Sequence, residues 1–343
     1  MLTFYSDTHR LHHGKTELYA GTLVPCFEMP ARADMVLEQV RRTGLGEVRE
    51  PDVHGLAPVL AVHDAGYVSF LETAWTRWQA LGRDYDALPK MWQIRRLRQA
   101  VPEHVEGQLC YYSMDCGTPL TSGTWPAITC AADLALSGAD ALLAGSKGAF
   151  ALTRPPGHHA AQDYCGGYCF FNNAAIAAQY LRDHGAQRVS VLDVDYHHGN
   201  GTQDIFYRRA DVQFLSIHGH PRTEYPFFLG FSDECGEGEG LGFNHNFPLP
   251  AGSNVQTWFA ALDRAMAEIA AFAPDALVVS LGVDAYAGDP ISRFALQSTD
   301  FSRIGEKLAM LGISTLFCLE GGYAVEPIGV NAVNVLAAFD AGI

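Results

Sequence analysis

Apolar and polar residues follow two periods along most of this chain. Short runs rich in Val, Leu and Ile alternate with longer stretches in which apolar residues return every third or fourth position. From about residue 125 onward this reads as helix over 125–144, strand over 149–153, helix over 173–184 and strand over 189–192. Strand over 212–217, helix over 255–272, strand over 276–281, helix over 300–311 and strand over 315–319 complete the series. The first residues, Met1 to Asp7, read as a short strand entering a polar turn. Strands that are apolar on both faces and separated by helices predict a mostly parallel sheet with helices on both sides, an α/β fold. In such sheets the functional side chains gather beyond the carboxyl ends of the strands.

No repeat and no low-complexity linker interrupts the pattern, so residues 1–343 are expected to form a single domain. The stretch 85–123 departs from it, mixing Pro89, Pro102 and Pro119 with Trp92 and the basic residues Arg95, Arg96 and Arg98. Its aromatic and apolar content disfavours disorder, and loops of this length usually serve as lids or interfaces. The longest apolar runs, such as 276–280 with its flanks, fall short of the roughly 20 residues that span a bilayer, and the N-terminus lacks a signal-peptide pattern. A cytoplasmic location is expected. A net charge of −15 argues against nucleic acid as a partner and favours cationic ligands. The eight cysteines include no CxxC pair and read as buried thiols.

The strand ends carry the chemistry. After the strand at 149–153 comes Arg154-Pro155-Pro156-Gly157-His158-His159-Ala160, two histidines on a turn stiffened by proline. Each alone reads equally well as a surface residue. The next strand runs into Asp193-Val194-Asp195-Tyr196-His197, and extended geometry would point 193, 195 and 197 the same way. Converging carboxylates and an imidazole in a sheet interior are costly without a cation, and Asp plus His suits zinc or a similar divalent metal. A third strand ends in Gly282-Val283-Asp284 and a fourth in Glu320-Gly321-Gly322-Tyr323, where glycines let the backbone approach whatever Tyr323 faces. Taken together, Asp195, His197 and Asp284 form a three-ligand set with an open fourth position, the pattern of a catalytic zinc site. His158 and His159 would then move protons, and Tyr323 would serve a developing oxyanion.

These segments resemble the histone deacetylase superfamily, and more closely its bacterial acetylpolyamine amidohydrolase branch. The similarity rests on RPPGHHA at 154–160, GGYCFFNNAAIAA at 166–178, LDVDYHHGNGTQDIFY at 192–207, SLGVDAYAGDPIS at 280–292 and LEGGY at 319–323. It extends to Lys15-Thr16-Glu17-Leu18 and Pro30-Ala31-Arg32 near the start. The resemblance implies an arginase/deacetylase-like sheet of about eight strands, and a zinc-dependent enzyme that removes acetyl groups from polyamines. It further implies His159 as general base, His158 as an electrostatic partner oriented by Asp193, and Asn200 as the group orienting His159. An amide there, in place of a carboxylate, leaves His159 less basic. A structural potassium ion is implied at Asp193, Ser216 and Ile217 with the backbone of Asp195 and His197. Gly167 and Tyr168 would line a substrate tunnel, and 85–123 would pack across a homodimer interface, narrow that tunnel and present Glu106 to a distal ammonium. Members of the branch can carry a second glutamate where Gly117 stands, two residues after Asp115.

Three rivals frame the expectation. An acetyl-lysine deacetylase, or a deacylase of another acylamine, would use the same catalytic parts. A two-manganese ureohydrolase would need more bridging carboxylates, and a binding module without turnover would lack a proton-transfer histidine or Tyr323. The ligand set suits ferrous iron as well as zinc.

Overall fold

The computed structural model describes residues 1–93 and 98–343, so Arg95 and Arg96 of the basic cluster lie outside the described residues. In chain order the first half holds β1 (Leu2–Phe4), β2 (Thr16–Tyr19), β3 (Thr22–Pro25), α1 (Ala31–Thr43), β4 (Val48–Arg49), α2 (Ala57–Leu60), α3 (Ala65–Gln79), α4 (Val105–Tyr111) and α5 (Thr124–Leu143). The second half alternates β5 (Gly148–Ala151), α6 (Asn173–Asp183), β6 (Val189–Asp193), α7 (Asn200–Phe206), β7 (Val212–Gly219), β8 (Asn244–Leu249), α8 (Val255–Phe272), β9 (Ala276–Leu281), α9 (Ser298–Ala309), β10 (Thr315–Leu319) and α10 (Val325–Gly342). The elements predicted after residue 125 are all present, with ends shifted by a few residues. The sequence reading did not propose β4, β8 or the helices α1, α3, α7 and α10.

Eight strands form one sheet in the order β4-β1-β5-β10-β9-β6-β7-β8, and every neighbouring pair is parallel. The period-2 rule explains how it is covered. Along β9 and β10, Val278, Leu316 and Cys318 face one apolar cluster, built with α3, α5 and α6. Leu277, Val279, Phe317 and Leu319 face a second, built with α1, α8, α9 and α10. Both faces are therefore sealed, each fully buried Leu or Phe contributing about 1.5–3 kcal/mol.

The helix α5 corrects one expectation. Its 20 residues are long and apolar enough to cross a membrane, although 67% of that window is buried in the fold, where Ala135, Leu136 and Ala139 pack beneath the sheet.

The start of α6, which follows the two-histidine turn, is fixed by a side chain. Asn172 caps α6 by accepting from Ala175 N, while its Nδ2 donates to Ala160 O and Thr202 Oγ1, tying the two-histidine turn to α7. The segment 85–123 is closed by Ala87 and Leu120, which exchange both backbone hydrogen bonds, and is braced on α3 by Arg77 and Trp78.

Candidate active site

The four polar motifs stand at the carboxyl ends of β5, β10, β9 and β6, which are neighbours in the sheet. Folding brings them together at one edge. Asp195, His197 and Asp284 are all buried, and their ligand atoms lie within 4.8 Å of one another. His197 Nδ1 is 3.0 Å from Asp284 Oδ2 and 3.3 Å from Asp195 Oδ1.

How residues 193–197 converge differs from the expectation. The strand stops at Asp193, and the chain turns by local hydrogen bonds: Asp195 N donates to Asp193 Oδ1 at 3.1 Å and His197 N to Asp195 Oδ1 at 2.9 Å. The glycines after β10 allow a close backbone approach, as expected. Gly321 meets the metal-type carboxylates, which also act on Tyr323: its N donates to Asp195 Oδ2 at 2.7 Å, and a Cβ there would sit 2.5 Å from that oxygen.

The donor set fits a divalent cation. Burial and then the Asp195 charge push Asp284 up to about 8, whereas Asp195, despite its burial, is held well below the carboxylate range by His158 and His197. Two carboxylates packed together away from water are a costly arrangement that a divalent cation offsets.

Beside this group the two histidines are driven apart electrostatically. His158 Nδ1 lies 2.9 Å from Asp193 Oδ2. Burial opposes its charge, but Asp193 and Asp195 overcome that and raise it to about 10. His159 Nδ1 lies 2.6 Å from Asn200 Oδ1, and burial, then the neighbouring His158 and His197, hold it well below the usual imidazole value. The surroundings thus favour the charged form of His158 and the neutral form of His159. A second group of ligand-type atoms, His158, Cys169 and Glu320, also lies within 4.8 Å. In it His158 Nδ1 faces Asp193, Cys169 Sγ donates to Gly167 O and Glu320 Oε2 accepts from the Gly157 and His158 amides, while the buried Glu320 Oε1 accepts no hydrogen bond among the described residues.

Tyr323 is buried, its N donating to Asp289 Oδ2 at 2.7 Å and its ring lying under the Arg32 guanidinium at 4.7 Å. Burial raises its hydroxyl well above the usual phenol value, so it remains a donor. Arg32 also donates to Gly322 O and Glu320 O, and Glu28 bridges Arg32 to Arg154. The turn that carries Tyr323 is therefore clamped from behind by buried charge. Sequence reading missed Glu28 and Asp289 and gave Arg32 and Arg154 no role, because nothing in their local pattern links positions so far apart.

A cavity of about 490 Å³ opens onto His159, His197 and Tyr323, with walls that include Gly167, Tyr168 and Tyr225. Gly167, at φ +53°, packs against His159; a Cβ would sit 2.1 Å from the ring. Asp115 fixes this wall, accepting from Gly167 N and the Tyr225 hydroxyl at 2.7 Å each. Gly117 also faces the cavity and has open space where a side chain would begin. Glu106 does not reach it within the chain: its carboxylate is held on α4 by Arg83 at 2.7 Å and Lys90 at 3.4 Å. Of the residues expected to hold potassium, Asp193 lies in register with Ser216 across β6 and β7, Ser216 Oγ is 2.8 Å from His218 Nδ1, and the Ile217 side chain points into the core.

Glu17, on the wall, accepts from the Tyr168 hydroxyl at 2.8 Å and Phe27 N at 3.2 Å. Burial raises it to about 7, with Asp115 and Glu28 adding to the rise. A raised carboxyl adds stability below its unfolded pKa of 4.5 and loses it as pH climbs through about 7. Glu17→Gln can accept from Phe27 N and donate its amide to the Tyr168 hydroxyl oxygen, reversing that one bond and removing the charge, so the variant is expected to gain stability over the parent between pH 5 and pH 8. Urea unfolding at both values reads this; a pH-independent difference would count against a buried, titrating Glu17.

The histone deacetylase domain family matches residues 26–339. This chain belongs to the histone deacetylase family. Within the family it is 61% identical over 340 residues to acetylpolyamine amidohydrolase 2 of Pseudomonas aeruginosa, covering 99% of each chain. It is 49% identical over 336 residues to the acetylpolyamine amidohydrolase of Mycoplana ramosa, covering 98% of each. The crystal structure of an acetylpolyamine aminohydrolase from Burkholderia pseudomallei superposes with a TM-score of 0.95 at 42% identity, over 99% of both chains.

Proposed function

We propose that this protein hydrolyses the amide of acetylated polyamines to acetate and the free amine. The observation that carries the reading is one cavity with an aromatic wall that ends on two adjacent buried histidines, a buried tyrosine and a buried Asp-His-Asp group. The full-length similarity to acetylpolyamine amidohydrolases supports the substrate class.

Asp195, His197 and Asp284 would hold one zinc ion, or ferrous iron. Such an ion polarises a carbonyl and brings the pKa of a water toward 7. His159, neutral, takes the proton from the attacking water and returns it to the departing amine. His158, cationic on Asp193, stabilises the negative charge that builds up. Tyr323 donates to the carbonyl oxygen as it becomes an oxyanion, so Tyr323→Phe should lower kcat about a hundredfold in a direct deacetylation assay. Gly167 O accepts the scissile N–H, and the Tyr168 and Tyr225 rings flank the aliphatic chain and its ammonium groups.

Asn200 sets the working pH. Exchanging it for aspartate puts a negative charge against His159 Nδ1, which favours imidazolium and raises the pKa of the base. Asn200→Asp is expected to move the acid limb of the kcat/KM profile to higher pH; an unmoved limb would remove His159 from the role of base.

We extend the reading to a potassium ion at Asp193, Ser216 and Ile217 with the Asp195 and His197 backbone, and to residues 1–343 acting as one catalytic domain. The 85–123 segment, with Met91 and Trp92 exposed, would pair with a second copy and carry Glu106 to the partner's cavity. Eight unpaired cysteines accord with a reducing, cytoplasmic setting.

The deciding experiment is steady-state kinetics of zinc-loaded enzyme on acetylputrescine, acetylcadaverine and acetylspermidine beside an acetyl-lysine peptide. The polyamines are expected to lead by about tenfold or more in kcat/KM, near 1.4 kcal/mol. A peptide that leads instead would assign the site to a protein deacetylase.

A further inference from the structure

Three carboxylates line the cavity within the chain: Glu17, Asp115 and Glu224. They differ in how fully their oxygens are engaged. Asp115 is saturated, since Oδ2 accepts from Gly167 N and the Tyr225 hydroxyl, and Oδ1 from Gly117 N and the Thr118 hydroxyl. Glu17 holds Tyr168 and Phe27. Glu224 stands apart. It follows β7 on the turn begun by His220, it is 6% exposed, and its Oε1 accepts no hydrogen bond of good geometry. The Tyr196 hydroxyl lies within hydrogen-bonding reach of this carboxylate and Gly219 packs on its stem.

The cation nearest to it is Arg293, whose Nη1 is 3.5 Å from Glu224 Oε1 while its side chain is 64% exposed. That distance is long for a charge-assisted hydrogen bond, and an exposed arginine held at one point is a weak partner, worth about 0–1 kcal/mol. Arg293 also lines the cavity, on the loop with Pro290, Ile291 and Ser292, and Ser292 Oγ donates to Asp284 O. A buried carboxylate therefore belongs to the cavity wall, its Oε1 closed off from solvent beside a loosely held cation on the loop tied to the candidate metal group. A buried carboxylate whose only close cation is held at long range is costly, and a ligand cation that reaches it replaces a poor ionic partner with a better one.

We propose that Glu224 is a residue of the chain's own cavity wall that recognises the distal ammonium of its substrate, beside whatever a second copy contributes, and that Arg293 is a displaceable cover competing for the same carboxylate. The inference rests on the amine-deacetylase reading above and names its specificity determinant. Glu224 takes the part for which Gly117 supplies no side chain and for which Glu106 lies out of reach within the chain. It predicts opposite signs for two substitutions. Glu224→Gln removes the attraction, whereas Arg293→Ala removes a competitor and a like charge; a purely structural pair would give losses in both.

The test compares acetylputrescine with N-butylacetamide, which has the same carbon chain and no ammonium, on zinc-loaded parent, Glu224→Gln and Arg293→Ala proteins. The ratio of kcat/KM for the charged over the neutral substrate is expected to fall about tenfold or more in Glu224→Gln and to rise about threefold in Arg293→Ala, chiefly through KM. Ratios that stay put in both variants, or move the same way, overturn the proposal. Calorimetric titration of the same three proteins with putrescine reads the contact without turnover: binding should weaken about tenfold in Glu224→Gln and tighten in Arg293→Ala. If the parent hydrolyses neither amide yet putrescine binding follows that order, the deacetylase reading fails and the ammonium site stands. If the parent turns over acetylputrescine but neither substitution shifts ratio or binding, the reverse holds.

Discussion

Replacing His159 by alanine is expected to lower kcat by about a thousandfold while KM stays within a few-fold. The reasoning starts from charge. His158 and His159 have ring centroids 4.0 Å apart, and only one of two such imidazoles carries a proton easily. Asp193 and Asp195 draw that proton to His158, which leaves His159 unprotonated and free to accept one. A base acts only while the proton is moving, so its loss lowers kcat and kcat/KM together rather than weakening ground-state binding. The substitution also strands Asn200 Oδ1, at a cost of about 1–3 kcal/mol in stability. Thermal unfolding measured beside the kinetics separates the two effects. A folded His159→Ala protein with near-parental kcat would transfer the proton-transfer role to another group.

The second large effect concerns Asp284. Asp284→Asn is expected to abolish measurable turnover and, independently, to change how the protein responds to metal. In the metal-free parent, Asp284 has a pKa raised to about 8 beside Asp195, so its contribution to stability is complete below about pH 4 and is lost as pH rises through 8. The asparagine variant lacks this titration and should be the more stable of the two metal-free proteins at pH 9. Zinc at a thousandfold excess over its Kd adds about 4 kcal/mol to a protein that binds it only when folded. The parent should gain on that scale and the variant far less. Equal stabilisation of both by zinc would exclude Asp284 as a ligand.

Much of this was accessible from residue order alone. The alternation of apolar strands with amphipathic helices follows from backbone periodicity, a local property, and it led to the parallel sheet. The HH pair, Asp195, His197, Asp284 and Tyr323 stood out because polar residues at the ends of apolar strands are conspicuous against their neighbours. Strand order is not local. Nothing in the sequence pattern says that β5, β10, β9 and β6 are adjacent, and that adjacency brings together groups from position 158 to position 323. The protonation of the two histidines was equally hidden, since it depends on which carboxylates lie behind each ring.

The remaining differences have the same origin. Glu17, Tyr225 and Glu224 sit in a hairpin and a loop with no periodic signature, and they acquire meaning only as walls of one cavity. Glu106 is a polar residue on a short helix, and within the chain its neighbours Arg83 and Lys90 engage it. Sequence by itself determined the fold class, the family and the chemical types at the strand ends, because local periodicity and short motifs carry those. Only the tertiary structure decided which carboxylates are saturated, which histidine sits among charges that favour its neutral form and which acidic side chain of the cavity wall lacks a close cation, because burial and through-space charge are set by residues far apart in the chain.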